Sequence, residues 1–361
     1  MPGEKPRERQ ERLIEVLDQV APGTELREAV DRILRVGSGA LIIIGDIAEL
    51  RPIMSGGFRI KCDFRAPRLY ELAKMDGAVV LSSDLKWIHS SNVHLVPDPA
   101  VTTHEAGMRH RTAERVARQT SAFVLAISEK MNTVSIYVGE DHFTLESIPL
   151  VLAKADQALQ TLSRYCTGLD KEFSHLNQIE VENIVTLNDV TKVVERSEMV
   201  MRMANEVRFH VSELGKDGRL VSLQLNEVMV GIPRQRRMLI CDYVVSRDGR
   251  GADDVIADLE ALSADELMDD AVITKALGYR STPELLNKVV RPRGYRILSM
   301  LPRLPVPVIE NLVARFDSLK NILRASPALL NEVDGVGERR AMAIKDGLDR
   351  IAEPIIIESF I

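Results

Sequence analysis

The chain has 361 residues, of which 45% are hydrophobic and 28% charged. That is the composition of a soluble globular protein with room for two or three domains. The formal net charge of −6 argues against a chain coated in nucleic acid. The charge is uneven, however: from Arg280 to Arg350 thirteen Lys and Arg face eight Asp and Glu, a net +5 that marks a basic C-terminal appendage on an acidic body.

Cys62, Cys166 and Cys241 are far apart and odd in number, so neither a disulfide framework nor a zinc site is expected, in keeping with a reducing cytosol. Met1 to Arg12 has no apolar core for a signal peptide. The longest apolar runs, such as Ala40 to Ile44, have strand length, so no membrane segment is expected.

In chain order, Leu13 to Val20 and Leu26 to Val36 carry helical apolar spacing, split at Pro22-Gly23, with Thr24 as a plausible cap. Ala40 to Ile44 is a short apolar run, the pattern of a strand buried on both faces. Ser55-Gly56-Gly57 is a turn before Phe58 to Ile60, and Arg68 to Met75 is helical. Ala78 to Ser82, Trp87 to His89 and Asn92 to Val96 are expected strands. Pro97-Asp98-Pro99 starts a loop that delivers the chain to a helix opening at Gly107. Strands are then expected at Phe123 to Ser128, Thr133 to Val138 and His142 to Leu145, closing an α/β domain with a central mixed sheet over residues 1–147.

After Pro149, helical apolar spacing (Val151, Leu152, Ala155, Leu159, Leu162) begins a helical spine over 148–287. Gly215 to Gly218 is a turn, Leu239 to Val245 is ambiguous, Ser246 to Asp254 is a loop, and Ser263 carries a capping pattern with Glu266. From Ser281 the chain turns basic, and residues 288–361 form the third expected domain.

Four constellations carry chemistry. Gly107-Met108-Arg109-His110-Arg111-Thr112 opens a helix with cationic side chains at its positive end, an unfavourable arrangement unless an anion sits there; a solvated helix start is the plainer alternative. Asp76-Gly77-Ala78 is either a turn before a strand, or a carboxylate able to hold Mg2+ or Mn2+ beside a glycine that admits a ligand to the backbone. Ser128-Glu129, at a strand end, offers a hydroxyl and a second carboxylate. Gly335-Val336-Gly337, followed by Arg339, Arg340 and Lys345, has the pattern of a helix-hairpin-helix whose backbone amides meet nucleic-acid phosphates, although a plain glycine connector would look similar. There is no Gly-x-x-x-x-Gly-Lys phosphate loop, and Gly37-Ser38-Gly39 precedes a strand where a dinucleotide fingerprint would follow one.

The pair Asp76-Gly77-Ala78 and Arg109-His110-Arg111-Thr112-Ala113 resembles the paired motifs of diadenylate cyclases. With the C-terminal glycine motif, essentially the whole chain resembles the DNA integrity scanning branch of that family. One departure is Met108, where the family usually has Thr; the hydroxyl contact is lost and the backbone contact remains. The resemblance implies that two ATP condense to cyclic di-AMP and two pyrophosphates, with Mg2+ or Mn2+, between cyclase domains paired face to face in a homo-octamer. It implies DNA binding without sequence preference, branched DNA suppressing synthesis, and a cytoplasmic, nucleoid-associated protein with no membrane contact.

On that basis Arg109, His110, Arg111 and Thr112 are assigned to the triphosphate, and Asp76 to the metal and the attacking hydroxyl. Gly77 and the backbone around Leu95 are assigned to the adenosine pocket, Ala78 and the Met108 backbone to ATP binding, Ser128 to phosphate and Glu129 to the metal. Gly335, Val336, Gly337, Arg339, Arg340 and Lys345 are assigned to DNA. Two other functions remain open on the residues alone: a DNA-repair accessory protein whose α/β domain only senses ATP, and a nucleotidyltransferase acting on DNA ends.

Overall fold

The computed structural model describes residues 6–245, 249–280 and 283–358; Met1, Ser246 and Ser281, named above, lie outside the described residues. Two helices come first, α1 (Pro6–Val20) and α2 (Glu25–Arg35). The cap expected at Thr24 forms: its hydroxyl accepts the Arg27 amide at 3.1 Å, satisfying one of the amides that a helix start leaves unpaired. There follow β1 (Ala40–Gly45), α3 (Ile47–Leu50), β2 (Met54–Ser55), β3 (Phe58–Asp63), α4 (Ala66–Leu72), β4 (Ala78–Ser82), β5 (Trp87–Leu95), α5 (Met108–Gln119), β6 (Phe123–Ser128), β7 (Thr133–Val138) and β8 (Asp141–Leu145).

These strands form one mixed sheet in the order β2-β5-β4-β1-β6-β7-β8, with β3 also pairing with β5. Only β1 and β4 run parallel; the other pairs are antiparallel. Alternation along the strands sorts their apolar side chains into two cores. Ile42, Ile44, Val79, Leu81, Leu125 and Ile127 pack against α1, α2 and α4. Leu41, Ile43, Ala78, Val80, Val124 and Ala126 pack against Ala113, Val116 and Ala117 of α5. Every residue of β1 is therefore buried, which is why it reads as an unbroken apolar run. The two strands expected at 87–89 and 92–96 are one bulged strand: Asn92 takes the left-handed conformation, φ 55°, and the β4–β5 register shifts beside it.

The remainder is helical: α6 (Ile148–Glu182), α7 (Leu187–Leu214), α8 (Arg219–Val228), α9 (Ile232–Tyr243), α10 (Ala252–Ala261), α11 (Ala264–Leu267), α12 (Asp270–Ala276), α13 (Pro283–Leu286), α14 (Tyr295–Ser299), α15 (Val306–Phe316), α16 (Leu319–Arg324), α17 (Pro327–Asn331) and α18 (Glu338–Glu358). Leu239 to Tyr243, ambiguous by pattern, belongs to α9. The Ser263–Glu266 capping box forms as expected. By compactness the chain divides into two units, Met1–Gln157 with Val207–Leu223, and Ala158–Glu206 with Gln224–Ile361. Val207–Leu223, expected in the spine, packs with the first unit, where Phe209 meets Phe143 edge to face at 5.5 Å.

Within the second unit a polar network is buried among α6, α9 and α14. Arg296, fully buried, pairs with Glu180 and donates to Asn177 at 2.5 Å. The Tyr243 hydroxyl donates to Glu180 at 2.7 Å. Asp242 accepts the amides of Gly294, Tyr295 and Arg296 at 2.6, 2.7 and 2.8 Å, capping α14. The last helices form their own apolar core around Ile297, Ile309, Leu312, Ile322, Leu330, Ile344 and Leu348.

Candidate functional site

Strand register collects the assigned residues at one end of the sheet. Leu41 of β1 pairs with Ala78 at the start of β4, Ala40 with Ile127 near the end of β6, and Ala78 with Val93 near the end of β5. Asp76-Gly77, Leu95, Ser128-Glu129 and Gly39 therefore share that end. Arg109 joins them from α5: its guanidinium covers Gly39, where a Cβ would come within 2.2 Å of it, and donates to the Ile127 carbonyl at 3.2 Å. From sequence Gly39 entered only as part of a rejected dinucleotide fingerprint; its role is to leave room for this arginine.

Gly77 has φ +90°, and a Cβ there would sit 2.9 Å from the Val93 carbonyl. The close approach expected of a ligand is made by the β5 backbone at the Asn92 bulge, so the glycine is required by strand packing. Ala78 and the Leu95 side chain are buried in the core that packs against α5. Asp76 is exposed beside them.

Helix α5 begins at Met108 with Gly107 as its cap residue, no side-chain cap, and no acidic residue in its first turn. The amides of its first turn are free of intrahelical partners, and the helix supplies no acidic residue of its own to its positive end. Arg111 is committed elsewhere than expected: it donates to the carbonyls of Glu105 and Ala106 at 2.9 and 3.0 Å. Arg115 and Arg118 likewise donate to Val101 and Thr102, and buried Glu114 accepts the His104 amide. One face of α5 thus clips down the loop that leads into it, leaving part of each guanidinium fork for other acceptors. The Thr112 hydroxyl bonds back to the Met108 carbonyl at 2.9 Å, a local bond that competes with its assignment to phosphate. Met108 is 84% exposed, so the side chain that replaces the family's Thr is free at the mouth of the site.

His110 reveals partners that the sequence did not. Its Nδ1 lies 2.9 Å from the Tyr137 hydroxyl, which donates to Glu105 at 2.9 Å. His142 stacks on Tyr137 with ring centroids 4.7 Å apart and lies 3.6 Å from Glu105. Because Tyr137 gives its proton to Glu105, it accepts from Nδ1–H, leaving Nε2 with the lone pair. Burial, followed by smaller contributions from His142 and Arg109, lowers the His110 pKa below its usual 6.5 against the pull of Glu105. His110 is therefore neutral at pH 7 and not the cation suggested by its neighbours. No spacing in the sequence links Tyr137, Glu105 and His142 to it.

Among the described residues no group of three or more His, Cys, Asp or Glu could hold a metal ion. Asp76 and Glu129 therefore do not form a closed cage. An exposed single carboxylate fits an ion that takes its remaining ligands from substrate phosphates and water, the usual habit of Mg2+. The Ser128 hydroxyl accepts the Met131 amide at 3.3 Å in the turn after β6, and Glu129 is exposed.

At the C-terminal motif the assigned residues divide. Gly335 takes φ +82° and Gly337 is open on its Cβ side, with the start of α18 beside it. Val336 is 5% exposed and its amide is bonded to Val333 at 3.0 Å, so it anchors the turn in the core and has no amide for a phosphate. Lys345 donates to Leu323 and pairs with Asp349 at 3.1 Å, and Arg340 donates to Gly335. Both are occupied within the chain. Arg339 is exposed.

Comparisons with known proteins agree along most of the length. Residues 27–142 match the family described as DisA bacterial checkpoint controller nucleotide-binding, and residues 145–286 the DisA bacterial checkpoint controller linker region. The chain is 46% identical to the DNA integrity scanning protein DisA of Acetivibrio thermocellus over 98% of each chain. It is 45% identical to that of Carboxydothermus hydrogenoformans over 95% of this chain and 97% of the other. DacA from Staphylococcus aureus, solved as a double mutant, aligns at 20% identity over 38% of this chain and 89% of its own, with a TM-score of 0.29.

Proposed function

The chain belongs to the DNA integrity scanning family and is a diadenylate cyclase, and we propose that it joins two ATP between the sheet ends of two protomers. The observation that carries this reading is the gathering of Asp76-Gly77, Leu95, Ser128 and Arg109 at one sheet end beside the uncapped start of α5. Each 3′-hydroxyl attacks the α-phosphorus of the opposite ATP, one P–O bond forms, the bond to pyrophosphate breaks, and the hydroxyl proton leaves. Two such steps give cyclic di-AMP and two pyrophosphates. Such transfer depends on positioning and on neutralising charge.

The free amides of Met108, Arg109 and His110 and the guanidinium groups of Arg109 and Arg111 take the triphosphate. The polar end of β6, Ser128, borders it, and the backbone at Gly77 and Leu95 lines the adenosine. Asp76 faces the attacking hydroxyl of the other protomer's ATP. One set of these groups per chain means one ATP per chain, so ring closure requires two chains related by a two-fold axis. Mg2+ or Mn2+, held by Asp76 with Glu129 nearby, would offset phosphate charge. The assembly we propose is a homo-octamer.

The same reading gives the second unit a DNA role, supported by the name of its relatives, DNA integrity scanning protein, and by the local basic excess. Gly335, Gly337 and Arg339 meet phosphates without reading sequence, branched DNA suppresses synthesis, and the protein works in the cytoplasm at the nucleoid.

The test is product analysis with ATP and either metal, with and without DNA. Asp76→Asn should bind ATP with near wild-type affinity and make no cyclic di-AMP, while Arg109→Gln should lose roughly tenfold or more in ATP affinity. Cyclic product from Asp76→Asn at the wild-type rate would refute the assignment. Adenylated DNA would point to a transferase acting on DNA ends, and ATP binding with no product to a sensor.

A further inference from the structure

A cationic cavity lies in the first unit, lined by no residue assigned to the cyclase site. It has a volume of about 420 Å³ and is bounded by α3 and the segment after it, by the β2–β3 turn and by the start of β5. Arg51, Arg59 and Lys61 line it, with His89, Ser90 and Phe58. No Asp or Glu is among its lining residues. Three cations drawn together without a carboxylate repel one another unless an anion is shared between them.

Three further features set the cavity apart from an ordinary charged sheet edge. Lys61 is held in the left-handed conformation, φ 49°, at a register break between Arg59 and Cys62. A lysine pays strain to stand there, and such strain collects where a side chain must be aimed. Phe58 is 61% exposed on this same strand; lysines that merely protect an edge do not need an aromatic ring beside them. Ser90 is 6% exposed and lines the cavity, so a hydroxyl stands in its wall beside the cations. The cavity therefore combines a cationic wall, a flat apolar surface and a hydroxyl. Its volume falls in the range of small-ligand pockets and suits one nucleotide unit.

We propose that this cavity is a second nucleotide-binding site, taking a nucleoside polyphosphate whose phosphates lie on Arg51, Arg59 and Lys61 and whose base stacks on Phe58. The position offers it influence over catalysis. The Gly56-Gly57 turn at its mouth seats Gly57 on β5, where a Cβ would come within 2.8 Å of the Ser91 carbonyl and 3.0 Å of the Asn92 carbonyl. Gly77 rests on that bulge too, at Asn92 and Val93. A ligand that shifts the β2–β3 turn thus bears on the backbone segment that supports Asp76.

The test is equilibrium dialysis of the full chain with labelled ADP, which lacks the pyrophosphate leaving group. The wild type should bind two ADP per protomer. Arg59→Gln/Lys61→Gln should bind one and keep its cyclisation rate at low ATP, and Arg109→Gln/Arg111→Gln should also bind one, at the remaining site. Phe58→Ala should weaken the second site roughly tenfold or more. One ADP per protomer in the wild type, or two in Arg59→Gln/Lys61→Gln with unchanged affinities, would overturn the proposal. Loss of the site in Arg109→Gln/Arg111→Gln alone bears on the cyclase assignment and leaves this one standing.

Discussion

His110 stands between two arginines in the first turn of α5, where charge alone would keep it neutral or expel it. Burial lowers its pKa from 6.5, so the folded chain binds a proton there only below the pH at which an unfolded histidine does. Its contribution to stability is thus present above 6.5 and is lost as pH falls through the lowered value. Tyr137 is shifted the opposite way: burial, and then the bond to Glu105, raise its pKa above 10, so it remains a hydroxyl at any working pH. The pair acts as a fixed orienter, with Tyr137 holding Nδ1–H and turning Nε2 outward. Tyr137→Phe removes that acceptor and leaves a half-buried N–H unpaired. It should cost about 1 kcal/mol in urea unfolding and about fivefold in the rate of cyclic di-AMP formation at saturating ATP. A rate equal to wild type would reduce Tyr137 to packing. The sequence motif pointed to His110 because the helix start is local. It could not point to Tyr137, Glu105 or His142, because hydrogen bonds across 27 or more residues leave no periodic trace.

At the scale of elements, local physics was legible wherever one element decided its own form. β1 reads as buried because both its faces are covered, and α2 starts at Thr24 because a hydroxyl there satisfies an amide. What depended on a neighbour was not legible. The split expected within β5 is a bulge imposed by Gly77 and Gly57 packing on Asn92, and Val336 looked like a phosphate contact until the C-terminal core claimed it. The cap of α14 is another such case. Burial, and then Glu180, push the Asp242 carboxyl up to about 7 against the three amides that favour its anion. Between pH 4 and 7 the folded state therefore binds a proton that the unfolded state has released, and stability from this group falls as pH rises across that window. Asp242→Asn abolishes that titration and sets an amide against amide donors, at a cost of about 1–3 kcal/mol. Urea unfolding of both chains at pH 5 and pH 7 should show the wild-type advantage shrinking at the higher pH. An advantage equal at the two pH values would mean Asp242 is ionised throughout.

For the whole molecule, the proposed suppression of synthesis by DNA requires that an event at the C-terminal motif reach the nucleotide. α6 starts in the first unit and ends in the second, where Glu180 pairs with buried Arg296 of α14. Any coupling under that proposal must be reciprocal in binding free energy. The contribution of each cation to DNA affinity should differ. Arg339 is exposed, whereas Lys345 is tied to Leu323 and Asp349. Arg339→Gln should therefore lower DNA affinity on every sequence alike and reduce the salt slope by about one counterion, with Lys345→Gln falling well short of that. If DNA acts on the cyclase through binding at this motif, Arg339→Gln should also need more branched DNA to suppress cyclic di-AMP synthesis, by the same factor by which its affinity fell. Titrating branched DNA against turnover and against binding, at two salt concentrations, measures both factors on one sample. A suppression curve that stays in place while the binding curve moves would separate the DNA site from the control of synthesis, and would place the inhibitory contact elsewhere on the chain.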